Sequence, residues 1–178
     1  MQEVSHEGFD QNIPSRTLAP IGQLGISWGQ LDSTLTTWIA NESKGDLAVT
    51  YLLIGRMEVS QKFSRLADLF KLIGDKEKRA HVKQMRREIE PHQQRRNIIA
   101  HQFCLGVSKI NTKELGFIGL QSPKRNDDGR FLLPITRLTV DQIRESAREA
   151  HRLMQAIGEQ YIPPGDELPP SPLSGLPQ

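Results

Sequence analysis

Apolar residues recur at alternating intervals of three and four along much of this chain, and that spacing most constrains its fold. The first set is Ile21, Leu24, Trp28, Leu31, Leu35 and Trp38. Side chains spaced in this way share one face of an α-helix. The pattern therefore predicts a helix that buries one face in a core, and both tryptophans are assigned to packing.

A second apolar stripe begins after Gly45-Asp46. Gly45 can end the first helix, and Asp46 is an N-cap candidate for the next one. Its members are Leu52, Val59, Leu66 and Ile73, spaced by seven, with Phe63 and Phe70 alongside. Gly74 is suited to a helix C-cap. The spacing predicts one long second helix that ends at Gly74.

The third stripe follows Asp75, which can cap a helix. Val82, Met85 and Ile89 continue in the same spacing through His92, Arg96, Ile99 and Phe103. Pro91 lies inside this stretch and either kinks the helix or begins a new one. The polar residues His92 and Arg96 thus occupy stripe positions where buried apolar side chains are expected.

The chain changes character at 103–137, where short apolar runs alternate with polar, turn-forming segments. This region predicts a β-hairpin or small meander. Thr139-Val140-Asp141-Gln142 then has the form of a capping box. A last stripe follows, made of Val140, Ile143, Ala147, Ala150, Met154 and Ile157, and it ends at Gly158.

These elements predict a mainly α protein, a four-helix bundle with a β insertion at about 103–137 between its third and fourth helices. The bundle domain is assigned to 21–161. Residues 1–20 are polar and are expected to form a flexible arm. Residues 162–178 are rich in proline and are expected to be a disordered tail.

Composition limits the candidate functions. A net charge of +2 is too small to produce an overall electrostatic field that would indicate a nucleic-acid partner. One cysteine, Cys104, rules out an internal disulfide and offers no zinc-ligand spacing, so no cofactor is expected. The N-terminus does not resemble a signal peptide and no apolar run is long enough to span a bilayer, which predicts a cytoplasmic protein without membrane contact.

The stretch 92–101 brings a guanidinium, an amide and an imidazole onto one helix. At 100° per residue, Asn97 lies about 100° and His101 about 140° around the axis from Arg96, so all three can address one surface. Imidazole moves protons near neutral pH and guanidinium binds phosphate. Such a set favours a reaction in which the 2′-hydroxyl of the RNA attacks the adjacent phosphate and cleaves the strand. One histidine cannot easily act as both base and acid, and a two-fold dimer would supply a second one.

The segment Arg96-Asn97-Ile98-Ile99-Ala100-His101 resembles the Arg-Asn-x-x-Ala-His form of the motif shared by the HEPN superfamily. That resemblance implies a four-helix bundle and a metal-independent endoribonuclease site at a homodimer cleft. It assigns Arg96 and His101 as catalytic residues and Asn97 as their polar support. It also implies a role among toxin–antitoxin, defence or RNA-processing proteins, with an antitoxin or other regulatory protein as a possible partner.

Further cations on the same helix suggest an RNA-backbone track. The tentative contacts are Lys83, Arg86, Arg87, Arg95 and, as a second proton carrier, His92. Mixed charge on a helix is also typical of a plain solvated face, so that interpretation stays open.

Two other functions remain open at this stage. A catalytically inactive module could bind RNA or a protein through the same surface. An antitoxin-like or nucleotide-transferase companion is also compatible, although the chain has neither a carboxylate pair nor a phosphate loop that would support nucleotidyl transfer.

Overall fold

A computed structural model of the chain describes residues 8–119, 124–125 and 131–161. Its helices are α1 (Ser15–Ser43), α2 (Leu47–Ile54), α3 (Val59–Ile73), α4 (Lys76–His101) and α5 (Val140–Tyr161). Its strands are β1 (Phe9–Asp10), β2 (Phe103–Ser108), β3 (Glu114–Ile118), β4 (Lys124–Arg125), β5 (Phe131–Leu132) and β6 (Ile135–Thr139). The prediction of a mainly α protein with β structure between the last two helices is confirmed.

Four long helices, α1, α3, α4 and α5, surround one core. Trp38 of α1 packs on Phe70 of α3 and stacks on Tyr161 of α5 at 4.1 Å between ring centroids. Near the other end of α1, Arg16 shares a cavity with Val140, at the start of α5. Helices α1 and α5 are therefore parallel, and α4 runs antiparallel to α5, since Arg95 pairs with Glu145 whereas His81 reaches Tyr161.

The single long second helix predicted from the sequence is wrong, because the segment forms two helices. Asp46 caps α2, as predicted, by accepting a hydrogen bond from the Val49 amide at 2.9 Å. The chain then leaves helical geometry, and Glu58 has extended dihedrals (φ −66°, ψ 153°). Leu52, expected in the core, is 83% exposed, and Ile73 at the end of α3 is 54% exposed. The stripe members between them, Val59, Phe63, Leu66 and Phe70, are buried. The seven-residue spacing across this break was thus fortuitous.

Residues 9–20 are also part of the fold rather than a flexible arm. Phe9 and Asp10 pair with β2, and α1 begins at Ser15, six residues before the predicted start. Thr17 and Pro20 are buried. Residues 1–7 and the proline-rich segment 162–178 lie outside the described residues.

Helix α4 is continuous through Pro91. Asp75 caps it, as predicted, by accepting from the Lys78 amide at 2.9 Å, and Gly74 adopts the left-handed conformation (φ 81°) between α3 and α4. Val82, Met85 and Ile89 are buried as the stripe requires. The continuous helix sets the register that places Arg96 and His101 in its last two turns.

Strands β1, β2, β3 and β6 form an antiparallel sheet in that order. One face, with Leu115 and Phe117 of β3, joins the helical core, and the other face packs Phe9 against Leu105 and Ile118. The predicted capping box is confirmed: Thr139 N donates to Gln142 Oε1 at 2.8 Å, and Gln142 N donates to Thr139 Oγ1 at 3.1 Å. The sheet thus leads directly into α5.

Replacing Gly106 with Ala should destabilise the protein by about 2 kcal/mol. Gly106 has φ +111° at the irregularity in β2, and a Cβ there would overlap the backbone of Asp10 in β1. Urea unfolding measures the loss. Gly74→Ala is the matched control, because Gly74 also has positive φ but open space around it, and it should cost about half as much. Equal losses would show that contact with β1 has no effect.

Candidate functional site

A cleft of about 470 Å³ lies between α1, the link that joins α2 to α3, and the last turns of α4. We call it the α4 cleft. Helix α4 contributes Gln93, Arg96, Asn97 and His101 to its wall. The three residues assigned as catalytic from the sequence therefore share one cavity.

A carboxylate from another element organises this wall. Glu58, at the start of α3, accepts hydrogen bonds from Asn97 Nδ2 (3.0 Å to Oε1) and from the Gln93 amide group (to Oε2). Asn97 Oδ1 in turn accepts from Arg96 Nη1 at 3.2 Å. Gln93 is buried and also accepts from the backbone amide of Ser60 at 2.8 Å. The Arg96 guanidinium is thereby oriented through Asn97 and anchored to α3.

His101 is the last residue of α4 and is exposed. It lies one helical turn beyond Asn97, on the same side of the helix. Within 8–119 and 131–161, its ring makes no hydrogen bond to another side chain. An exposed imidazole beside a half-buried guanidinium suits proton transfer next to a bound anion.

His92 and Arg95, two of the tentative RNA contacts, face α5 rather than the α4 cleft. His92 Nδ1 is 3.1 Å from Ser146 Oγ of α5, and Arg95 Nη1 pairs with Glu145 at 2.7 Å. Neither residue lines the α4 cleft. The structure therefore does not bring His92 to Arg96 and His101 as a second proton carrier within one chain.

Lys83, Arg86 and Arg87, the remaining tentative contacts, are exposed on α4. At 100° per residue they project on the same side of the helix as His101. This arrangement is compatible with a cationic track that leads to the cleft, and equally with a solvated helix face.

The free energy of unfolding should decrease as the pH is lowered from about 7 to about 5, in part because of His92. Burial, followed by the nearby Arg95 charge, lowers the pKa of His92, although Glu145 and Glu149 oppose that shift. The unfolded chain then binds a proton more readily than the native one, so stability decreases as pH falls below the ordinary imidazole pKa of about 6.5. Urea titrations of wild type and His92→Gln at several pH values would measure this. Parallel pH profiles for the two proteins would contradict it.

Sequence reasoning missed Glu58 and Asp32 as members of the site. Asp32 of α1 lines the cleft and pairs with Lys62 of α3, whose side chain is fully buried (2.7 Å, Nζ to Oδ1). Lys62 also donates to Thr36 Oγ1 at 3.0 Å. Gly55 and the polar residues after it were the available signal for the break that positions Glu58. No spacing links Asp32 or Glu58 to the Arg96–His101 motif.

Within the ranges that the structure describes, no three His, Cys, Asp or Glu side chains form a candidate metal site. Within the same ranges, no helix is long and apolar enough to cross a membrane.

Comparison of the chain with protein-family models, curated proteins and solved structures gave no match. The residues and geometry of the α4 cleft are therefore the basis for inferring a function.

Proposed function

We propose that this chain is a metal-independent endoribonuclease of the HEPN type, whose complete active site forms between two copies. The observation that carries the proposal is the placement of Arg96, Asn97 and His101 on the wall of one cleft, with Arg96 held through Asn97 by Glu58. Glu58 lies outside α4, immediately before α3, so the arrangement of these side chains depends on the tertiary fold and not on α4 alone.

The proposed reaction is an internal phosphoryl transfer in RNA. The 2′-oxygen forms a bond to phosphorus, and the bond from phosphorus to the 5′-oxygen breaks, which leaves a 2′,3′-cyclic phosphate. One imidazole takes the 2′-hydroxyl proton and another protonates the departing 5′-oxygen. Arg96 stabilises the negative charge that gathers on the phosphate oxygens.

Two imidazoles in these roles require a second chain. His101 is the one histidine on the cleft wall among the described residues. A two-fold axis near the end of α4 would bring His101 and Arg96 from both copies to a single phosphate, because such an interface repeats every residue.

Helix α2 supports association between copies. Val49, Tyr51, Leu52 and Leu53 are between 53% and 83% exposed, and Thr50 is the only buried residue in α2. Exposed apolar patches of this kind mark association surfaces. The helix leads directly into Gly55–Glu58, which line the cleft. A second copy seated on α2 would therefore lie beside the proposed active site.

The test is incubation of purified protein with total RNA in EDTA, comparing wild type with His101→Ala. We expect the wild-type protein to cleave the RNA, leaving 2′,3′-cyclic phosphate ends, and His101→Ala not to cleave it. Cleavage that persists in His101→Ala, or that EDTA alone abolishes, would contradict the proposed chemistry. A toxin-like, defence or RNA-processing role, and a neutralising protein partner, are extensions of this proposal.

One observation favours the alternative, a catalytically inactive module that binds RNA or a protein. Catalytic histidines are commonly oriented by a hydrogen bond to the second ring nitrogen, and within the described residues His101 has no such partner. RNA that is bound by wild type and recovered intact would favour the binding module.

A further inference from the structure

A second groove runs between α1 and α5, away from the α4 cleft. It consists of two adjoining cavities, of about 360 and 470 Å³, which share Asp141 and Arg144 in their walls. We call it the α1–α5 groove. It extends along α5 from Val140 to His151, about 16 Å of helix at 1.5 Å per residue. That length exceeds what a single small anion would occupy.

The groove is strongly cationic in a chain whose net charge is only +2. Arg16, Lys113, Arg144 and Arg148 line it, and His151 lies at one end. Among the residues that the structure describes, Asp141 is the one carboxylate on its walls, and it pairs with Arg144 at 2.9 Å. Within the described residues, the side chains of Arg16, Lys113 and Arg148 form no ion pair. In the described part of the chain, the groove therefore presents three cationic side chains whose charge no ion pair neutralises.

The floor of the groove differs from its rims. The buried lining residues are the apolar Pro20, Val140 and Ala147 and the polar Thr17 and Ser27, whereas the arginines and Lys113 are exposed. An uncharged, partly apolar floor between cationic rims suits a chain that has uncharged groups on one side and regularly spaced negative charges on the other. Single-stranded nucleic acid has this character, because its phosphates can meet Lys and Arg along a positively charged groove while the rest of the strand lies against uncharged surface.

The two sites are independent surfaces. On α1, the groove uses Pro20, Gln23 and Ser27, and the α4 cleft uses Gly25 and Asp32. At 100° per residue these two sets project about 150° apart around α1. Substitutions in the groove therefore leave the wall that carries Arg96 and His101 untouched.

We propose that the α1–α5 groove binds the sugar–phosphate backbone of single-stranded RNA. The groove's charge and shape argue for a polyanionic strand, and the choice of RNA among such strands rests on the proposed function. Each exposed cation would contact one phosphate, so affinity depends steeply on salt. The groove would hold substrate outside the cleavage site.

The test uses a fluorescent single-stranded oligonucleotide in which every 2′-hydroxyl is methylated, so that cleavage cannot occur. Anisotropy titrations compare wild type with the triple variant Arg16→Gln, Lys113→Gln, Arg148→Gln. The matched control is Lys44→Gln, Lys71→Gln, Lys76→Gln, which removes the same charge at exposed positions near the opposite end of the bundle. A single Arg148→Glu variant provides a second measure if the triple variant folds poorly.

The groove variant should bind at least about tenfold more weakly, and the slope of log affinity against log salt should decrease by about 2, since each phosphate contact contributes about 0.7 for a single strand. The control should change both quantities by much less. Equal weakening in the two triple variants would overturn the proposal. An acidic peptide that binds as tightly as the oligonucleotide, and competes with it, would also overturn it by identifying a protein-docking groove.

The same variants separate this inference from the proposed function. Loss of oligonucleotide binding in the groove variant, together with no RNA cleavage by wild type, would leave the groove assignment standing and reject the ribonuclease. Cleavage by wild type, together with unchanged oligonucleotide binding in the groove variant, would leave the ribonuclease standing and reject the groove assignment.

Discussion

Replacing either Arg96 or His101 with Ala is expected to reduce RNA cleavage by about three orders of magnitude. Loss of an acid–base group typically costs about 10²–10⁴ in rate. Arg96 and His101 act on the same phosphate, so their effects should not add, and the double variant should be little worse than either single one. Cleavage rates on a defined RNA, with folding checked by circular dichroism, measure this. A double variant whose losses multiply would show that the two residues act separately.

Mixing the two single variants tests whether the site is shared between chains. In a mixed dimer, the Arg96→Ala chain supplies His101 and the His101→Ala chain supplies Arg96. A small recovery, well below wild-type activity, is expected because the mixed dimer regains one His101 and one Arg96 at a shared phosphate but still lacks the second imidazole. Light scattering should show a dimer at tens of micromolar. A monomer that cleaves RNA, with no recovery on mixing, would rule out the composite site.

Replacing Asp32 with Ala should lower the free energy of unfolding by about 3 kcal/mol, because it leaves the ammonium group of Lys62 buried without its countercharge. Lys62 is fully buried, and its contacts are Asp32 and Thr36. The Asp32 side chain is 28% exposed, so water enters to part of the site and the loss should fall at the lower end for a buried pair. Urea unfolding measures it.

Two control variants make this stability prediction specific. Lys62→Met removes the buried charge itself and should be far less damaging than Asp32→Ala, since an apolar side chain of similar length needs no partner. Asp141→Ala breaks an exposed pair with Arg144 and should cost less than about 1 kcal/mol. If Lys62→Met destabilised the protein as much as Asp32→Ala, packing rather than charge would account for the effect.

Local patterns in the sequence predicted much of the helical framework. Asp46, Asp75 and the pair Thr139–Gln142 cap the helices that they were assigned to. The spacing of 100° per residue along α4 also indicated that Arg96, Asn97 and His101 can address one surface, and all three line the α4 cleft. Such features depend on residues within a few positions of one another, and backbone geometry alone relates them.

The error at α2 and α3 has a different origin. Leu52 fits a seven-residue repeat with Val59, but a repeat does not show whether the helix continues between its members. Burial decides it: Val59 packs in the core, while Leu52 lies on the exposed surface of α2. The N-terminal segment was predicted as a flexible arm for a similar reason, because pairing of Phe9 with β2 depends on a strand about 100 residues further along.

By itself, therefore, the sequence determined the helical class, the caps and the common face of the motif, because these follow from spacing along one helix. Only the tertiary structure decided that Glu58 holds Asn97 and that Asp32 neutralises Lys62, and it alone directed His92 towards Ser146 on α5. These contacts join residues 30 to 54 positions apart. Packing of the bundle sets such distances, and no periodicity within a single helix encodes them.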